Sequence, residues 1–344
     1  LNDVPAVPFL ARTAAHGEDA EREAARETLL RLYGTEVQKA LLTALSGPDP
    51  ATRVEVLQII AERHEPGAVE VLLQQAQATD EGVRRAALQA LGTQPAEAVL
   101  APLLGLWPGL ASARERTAWS KAVAAVCADS PDPDGSATTV IAALDQADKA
   151  RVMALLPALY RSGSPQALRA TQELAQGADA ELSTEAVRAL AQWPNADAAP
   201  VLLALCKEGN DVTRQTLALR GYVEVSRFEK DPARLLYLLR QGMGVARRTE
   251  EKKLLLGRMG SIVTPEAMTA VLVYLDDADL VDEAAAAVVG QARELSGPHP
   301  EIAQQAADKV LAVCRNEAIR NRALMLRAKP RSGPFIREWL VCGP

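Results

Sequence analysis

The segment Asp80–Gly92 (DEGVRRAALQALG) constrains this chain most, because weaker copies of it recur along the length. Asp179–Ala191 (DAELSTEAVRALA), Asp49–Ala61 (DPATRVEVLQIIA) and Asp211–Tyr222 (DVTRQTLALRGY) follow the same plan. Each opens on an aspartate, whose short carboxylate suits the open N–H groups at a helix start. Apolar residues then follow at helical spacing. In the first copy Val83, Ala86, Ala87, Ala90 and Leu91 share one face. Arg84, Arg85 and Gln89 are expected to face away, with Leu88 at the margin touching the next repeat. A single helix pair cannot bury such a face alone. Self-similarity at a period of roughly 30–45 residues therefore predicts a stack in which neighbours bury one another.

Turn and capping residues divide the rest into helix pairs. The pairs expected are 3–15 with 19–33, 35–46 with 50–64, 67–78 with 81–92, and 95–107 with 112–128. A polar loop, Asp129–Gly135, precedes 136–147 with 149–161. Then come 165–176 with 180–193, 196–208 with 211–226, 232–242 with 246–259, and 265–276 with 279–295. Helices at 300–314 and 317–327 close the array. The expected fold is all-α: a right-handed α-solenoid of helix pairs, an alpha-alpha superhelix, over residues 1–328, with the second helix of each pair lining the concave face. Residues 329–344 read as a linker followed by the first strand of a further domain, because Ile336, Trp339, Leu340 and Val341 favour strand.

Composition supports this class. Hydrophobic residues make up 48% of the chain but aromatics only 3%. Ala and Leu dominate, and both favour helix. The 344 residues are long for one compact core, a limit that does not bind a stack. A formal charge of −6 argues against bulk neutralisation of nucleic-acid phosphates. No apolar run is long enough to span a bilayer. The start, Leu1-Asn2-Asp3-Val4, carries neither an initiator Met nor a signal peptide and reads as the interior of a longer chain.

The pattern Asp80, Val83, Arg84, Ala86, Ala87, Ala90, Leu91, Gly92 resembles the HEAT repeat, in its short phycobilisome-lyase-like bacterial form. The resemblance covers most of residues 1–328. Leu217–Tyr222, Glu250–Gly257, Tyr274–Asp277 and Asp282–Ala286 are similar to the HEAT region of large, often exported bacterial proteins. Those proteins add a keto-disaccharide hydrolase or a carbohydrate-binding domain, and Phe335–Pro344 looks like the opening of such a domain. The resemblance implies a non-catalytic scaffold, spacer or docking arm. Its partner would be a protein, a neighbouring domain of the same chain, or a polysaccharide. It implies no cofactor and carries over no catalytic residue.

The chemistry-bearing residues agree with a binding role. His16, His64 and His299 lie in different repeats without metal-ligand spacing. Cys127, Cys206, Cys314 and Cys342 form no Cys-x-x-Cys pair, and the first three fall in apolar helical runs. No nucleophile elbow or phosphate-binding glycine loop is present. Asp276, Asp277, Asp279, Asp282 and Glu283 are expected to cap a helix and complement its dipole. From Arg214 to Arg258 eleven basic residues face five acidic ones, then Thr264–Val310 holds two basic and nine acidic. The candidate binding residues are Arg53, Arg84, Arg85, Arg188, Arg214, Arg220, Arg247 and Arg248. The alternative is a nucleic-acid-binding protein or DNA alkyl-base glycosylase-type enzyme, with Trp107, Trp119 and Trp193 as groove aromatics; helix-end packing explains those tryptophans better.

Overall fold

The computed structural model describes residues 4–65, 67–145, 147–208 and 211–327. Among them are twenty α-helices and no strand. No described helix is long and apolar enough to cross a membrane. The expected strand within 329–344, and Cys342, lie outside the described residues. The chain divides into two compact units, Leu1–Pro194 and Asn195–Pro344.

The first unit holds six helix pairs: α1 (Val7–His16) with α2 (Asp19–Arg31), α3 (Thr35–Ala44) with α4 (Pro50–Glu62), and α5 (Val69–Gln75) with α6 (Glu81–Leu91), then α7 (Ala96–Gly105) with α8 (Ala113–Ala128), α9 (Pro133–Ala142) with α10 (Lys149–Ser162), and α11 (Pro165–Gln176) with α12 (Ala180–Ala191). The second holds four: α13 (Ala199–Glu208) with α14 (Val212–Ser226), α15 (Pro232–Val245) with α16 (Thr249–Gly260), α17 (Pro265–Leu272) with α18 (Val281–Leu295), and α19 (Pro300–Val313) with α20 (Glu317–Arg327). Within each unit second helices stack on second helices, α4 on α6 on α8 on α10 in one and α14 on α16 on α18 on α20 in the other. Each unit is an α-solenoid of HEAT-like pairs.

The four repeated aspartates are all helix caps. Asp49, Asp80 and Asp179 each accept from a backbone N–H three residues on, at 2.9 Å, and Asp211 accepts from Thr213 at 2.8 Å. On α6 the predicted face, Val83, Ala86, Ala87, Ala90 and Leu91, is buried. Leu88 is buried as well, because α6 is held between α4 and α8 and so buries more than one stripe.

Some boundaries differ. Residues Pro133–Gly135 were expected in a loop but form the first turn of α9, capped by Asp132 on the Gly135 amide at 2.9 Å. An Asp-Pro step is a start signal, since proline at the first helical position loses nothing. The segments α7 and α17 end early and tighten into 3₁₀ turns at Trp107–Gly109 and Val273–Asp276. The acidic cluster does not cap α18: Leu280 stands at the cap without a side-chain bond, and Asp277 instead accepts from the Asp279 amide at 3.0 Å. Cys314 follows α19 rather than lying within it, although it is buried.

Stacking creates a polar problem, because the last carbonyls of each helix, and those of the turn that follows, have no partner within the helix. Two sets of side chains answer it. Four residues after the caps Asp80, Ser112, Asp179 and Asn316 stands a donor that reaches back to the preceding turn. Arg84 donates to the Ala78 and Thr79 carbonyls at 2.8 and 2.7 Å, and Arg116 to Leu110 at 3.3 Å. Ser183 donates to Ala175 at 2.6 Å, and Arg320 to Leu311 and Cys314 at 2.6 and 3.0 Å. At the far ends of the second helices the donor comes from the next pair. Arg63 after α4 donates to Leu29 and Leu32 at the end of α2. Gln94 after α6 donates to Glu65 at 3.2 Å. Gln291 on α18 donates to Met259 and Ile262 at 3.0 and 2.8 Å.

Arg84 also bonds Glu115 of the next second helix, whose side chain is fully buried. Burial pushes that carboxyl up, but Arg84 and the Ser112 amide outweigh it, so the group lies below its ordinary value and stays ionised. Removing Arg84 strands that buried charge together with the Ala78 and Thr79 carbonyls, so Arg84→Ala should cost about 3–5 kcal/mol in urea unfolding. Replacing both, as Arg84→Met with Glu115→Met, should recover only part of that loss, because the two carbonyls stay without a donor. An unchanged midpoint for Arg84→Ala would contradict this account.

Acid sensitivity follows from the caps. Asp49 is held far below its ordinary value by the Thr52 hydroxyl first and His16 second. Asp179 is lowered by the Leu182 amide and then by Lys149. A carboxylate lowered in the folded state adds stability above its unfolded pKa and loses it as pH falls through the folded one. The melting temperature should therefore fall steadily from about pH 5 toward pH 2, and less steeply for Asp49→Asn. A melting temperature that holds level across that interval would remove the caps as its source.

Candidate binding groove

In the first unit the second helices α4, α6, α8 and α10 line an open groove of about 900 Å³. Its floor is built from small side chains, including Ala86, Ala118, Ala122 and Ala125, which lets the helices approach closely. A Cβ on Gly92 would stand 3.0 Å from the Ala122 Cα, so the end of α6 sits directly against α8. The rim carries Arg85 from α6, Arg114 and Lys121 from α8, and Arg161 from α10. All four are exposed, and none makes a side-chain hydrogen bond or ion pair. No carboxylate lines the groove. A neighbouring hollow shares Thr117, Lys121 and Arg161 and extends to Tyr160 and Trp107, where Arg116 lies over the indole ring at 5.4 Å.

This local charge opposes that of the surrounding unit. Residues 1–194 hold 17 basic and 25 acidic side chains, a balance of −8. Many of those carboxylates are engaged elsewhere. Arg26 holds Glu55 and Glu62, and Lys149 holds Asp179 and Glu181 at 2.8 and 2.7 Å. The groove cations are left without such partners.

The sequence candidates fall in several places. Arg85 lies in the groove. Arg53 and Arg84 were expected to be exposed; both are half-buried, because their guanidinium groups turn toward neighbouring helices. Arg84 makes the ties described above, and Arg53 donates to Gln75 at 3.1 Å, which in turn donates to the Leu45 carbonyl at 3.3 Å. Arg188 is exposed on α12 and paired with Glu185 one turn away. In the second unit Arg214 is half-buried in the first turn of α14. Arg220 and Arg248 line a groove between α14 and α16 together with Glu224, Glu250 and Glu251. That groove is therefore of mixed charge, and Arg248 is bound to Glu251 at 2.8 Å. Arg247 is exposed just before α16, and its amide donates to Glu251 at 3.0 Å.

Charge summed over blocks of chain does not mark Arg114, Lys121 and Arg161, because the groove gathers charge across helices. One signal was available: Arg114, Thr117, Ala118, Lys121, Ala122 and Ala125 follow helical spacing, and only cations and small or neutral residues occupy that stripe.

The tryptophans are packing residues. Trp119 is fully buried, donates to the Leu103 carbonyl at 2.7 Å and lies 4.9 Å from the Trp107 ring. Trp193 is buried too. Cys127 and Cys206 are buried free thiols pushed up to about 12, by burial in both cases and at Cys206 also by Glu251. Among the described residues no group of three or more His, Cys, Asp or Glu side chains could hold a metal ion. His16 instead bonds Asp49 at 2.6 Å, linking α1 to the cap of α4.

Residues 38–124 match the family model of HEAT repeats. No curated protein matches the sequence. Among solved structures the chain is similar to the karyopherin Kap121p bound to the extreme C-terminus of the protein phosphatase Cdc14p. The TM-score is 0.47 at 13% identity, over 94% of this chain and 45% of that one. It is similar to Kap121p bound to Ste12p with a TM-score of 0.48 at 13% identity and the same coverage. The chain thus spans less than half the length of these karyopherins. A designed armadillo repeat protein matches with a TM-score of 0.30 at 18% identity, over 64% of this chain and 99% of that one. Helix pairing, capping and the matched segment agree on one architecture, the HEAT-like α-solenoid.

Proposed function

We propose that this chain is a non-catalytic protein-interaction scaffold that holds a partner along the groove of α4, α6, α8 and α10. One observation carries the reading: four exposed cations converge there without serving the fold. Elsewhere buried or half-buried polar side chains such as Arg63, Arg84, Gln94 and Gln291 tie helix ends together, which leaves this rim free to vary with the partner. The buried thiols and packed tryptophans support a role without bond-making chemistry. The resemblance to HEAT regions of large bacterial proteins supports the finer reading of a spacer between domains of a longer, exported chain. Binding of a polysaccharide is the weaker form of this reading, since the groove lacks exposed aromatic faces on which sugars stack.

Position-specific cross-linking tests the reading. A photoreactive residue at Gln89 or Thr117, both on the groove, should give an adduct of the same mass with the full chain in its own cells. The same residue at Arg12 on α1 or Arg169 on α11, exposed positions on first helices, should give none. Equal adducts from both sets, or none from the groove, would set the proposal aside.

A further inference from the structure

We infer that the groove of the first unit recognises an extended acidic peptide segment about six residues long. The inference rests on the interaction role proposed above and names the chemistry of the partner.

Charge is the first argument. Arg85, Arg114, Lys121 and Arg161 face one hollow with no carboxylate among its lining residues. Gathering like charges raises the energy of the free protein, and an anion in the groove relieves it. The arrangement is selective because residues 1–194 carry a balance of −8. A long polyanion such as duplex nucleic acid, with one charge per about 1.7 Å, would be repelled by the surrounding surface. A short acidic segment meets only the local field, since screening confines each charge to about 8–10 Å.

Geometry is the second argument. Arg114 and Lys121 stand seven residues apart on α8, which is roughly 10 Å along a helix. A peptide in the extended polyproline II form advances about 3.1 Å per residue with about three residues per turn, so carboxylates three positions apart share a face and match that pair. Stacked helices lie about 8–10 Å apart, so Arg85 on α6 and Arg161 on α10 flank that line from either side. About six residues place one such pair of carboxylates on α8 with one residue to spare at each end. The neutral polar side chains of the lining, Gln58, Gln89, Thr93 and Thr117, are hydrogen-bonding groups suited to a peptide backbone, and the alanine floor leaves room for that backbone to lie close.

The test uses the 344-residue chain and three fluorescein-labelled probes read by anisotropy. The first is an eight-residue peptide with glutamates three positions apart, the second its glutamine counterpart, and the third a duplex DNA oligonucleotide of about twenty base pairs, long enough to reach the acidic surroundings. The glutamate peptide should bind, with affinity falling as salt rises, and the other two should bind at least about tenfold more weakly. Arg114→Glu with Lys121→Glu should weaken the glutamate peptide by about tenfold or more. Arg12→Glu with Arg169→Glu makes the same change in net charge on first helices and should leave binding unaltered. Circular dichroism establishes that both double variants fold. Tighter binding of the oligonucleotide, equal binding of the glutamine peptide, or equal loss in the two double variants overturns the inference. Groove-specific cross-links without glutamate-peptide binding overturn the acidic partner alone and leave the interaction role standing.

Discussion

The carbonyl groups at the ends of stacked helices govern this structure. A lone helix leaves its last carbonyls to water, but a stack covers many of them, and a covered carbonyl without a donor costs about 1–3 kcal/mol. Repeating the same pair repeats the same demand. The chain meets it with donors on neighbouring elements: Arg84, Ser183 and Arg320 at the starts of second helices, and Arg63, Gln94 and Gln291 across to the preceding pair. Alanine and leucine fill the space between, yet apolar packing alone would permit helices to slide. The donors fix the register because each has a particular carbonyl to reach.

Much of this was legible in the sequence, and the reason is local. A capping aspartate acts on amides two or three residues away, so Asp49, Asp80, Asp179 and Asp211 mark helix starts without knowledge of anything distant. The apolar stripe of α6 is equally local, being set by the period of one helix. Misplaced elements had local causes too. Asp132-Pro133 reads as loop together with its polar surroundings, although the pair is itself a start signal. The aspartates before α18 were numerous enough to suggest a cap, but the turn at Asp277 uses them first.

The role of Arg84 was not legible, because it depends on a contact 31 residues away. Arg84 and Arg85 are adjacent in sequence and similar in chemistry. One turns into Glu115 and two carbonyls, and the other looks into the groove. The difference lies in the 100° between successive positions on a helix and in what the next pair supplies there. Charge counted along the chain pointed to residues 214–258, where Arg248 is neutralised by Glu251 and the local groove is mixed. Charge counted across α6, α8 and α10 points to the first unit instead.

The relay from Arg53 through Gln75 to the Leu45 carbonyl has an evolutionary corollary. Arrays of this kind grow and shrink when a whole module is copied or lost. Here a module brings a donor matched to one address, so a shuffled copy would present Gln75 or Arg63 to an unsuited neighbour. The joints are keyed, and lengthening the array calls for compensating changes at both edges of the insert. Diversification by drift on the rim meets no such barrier.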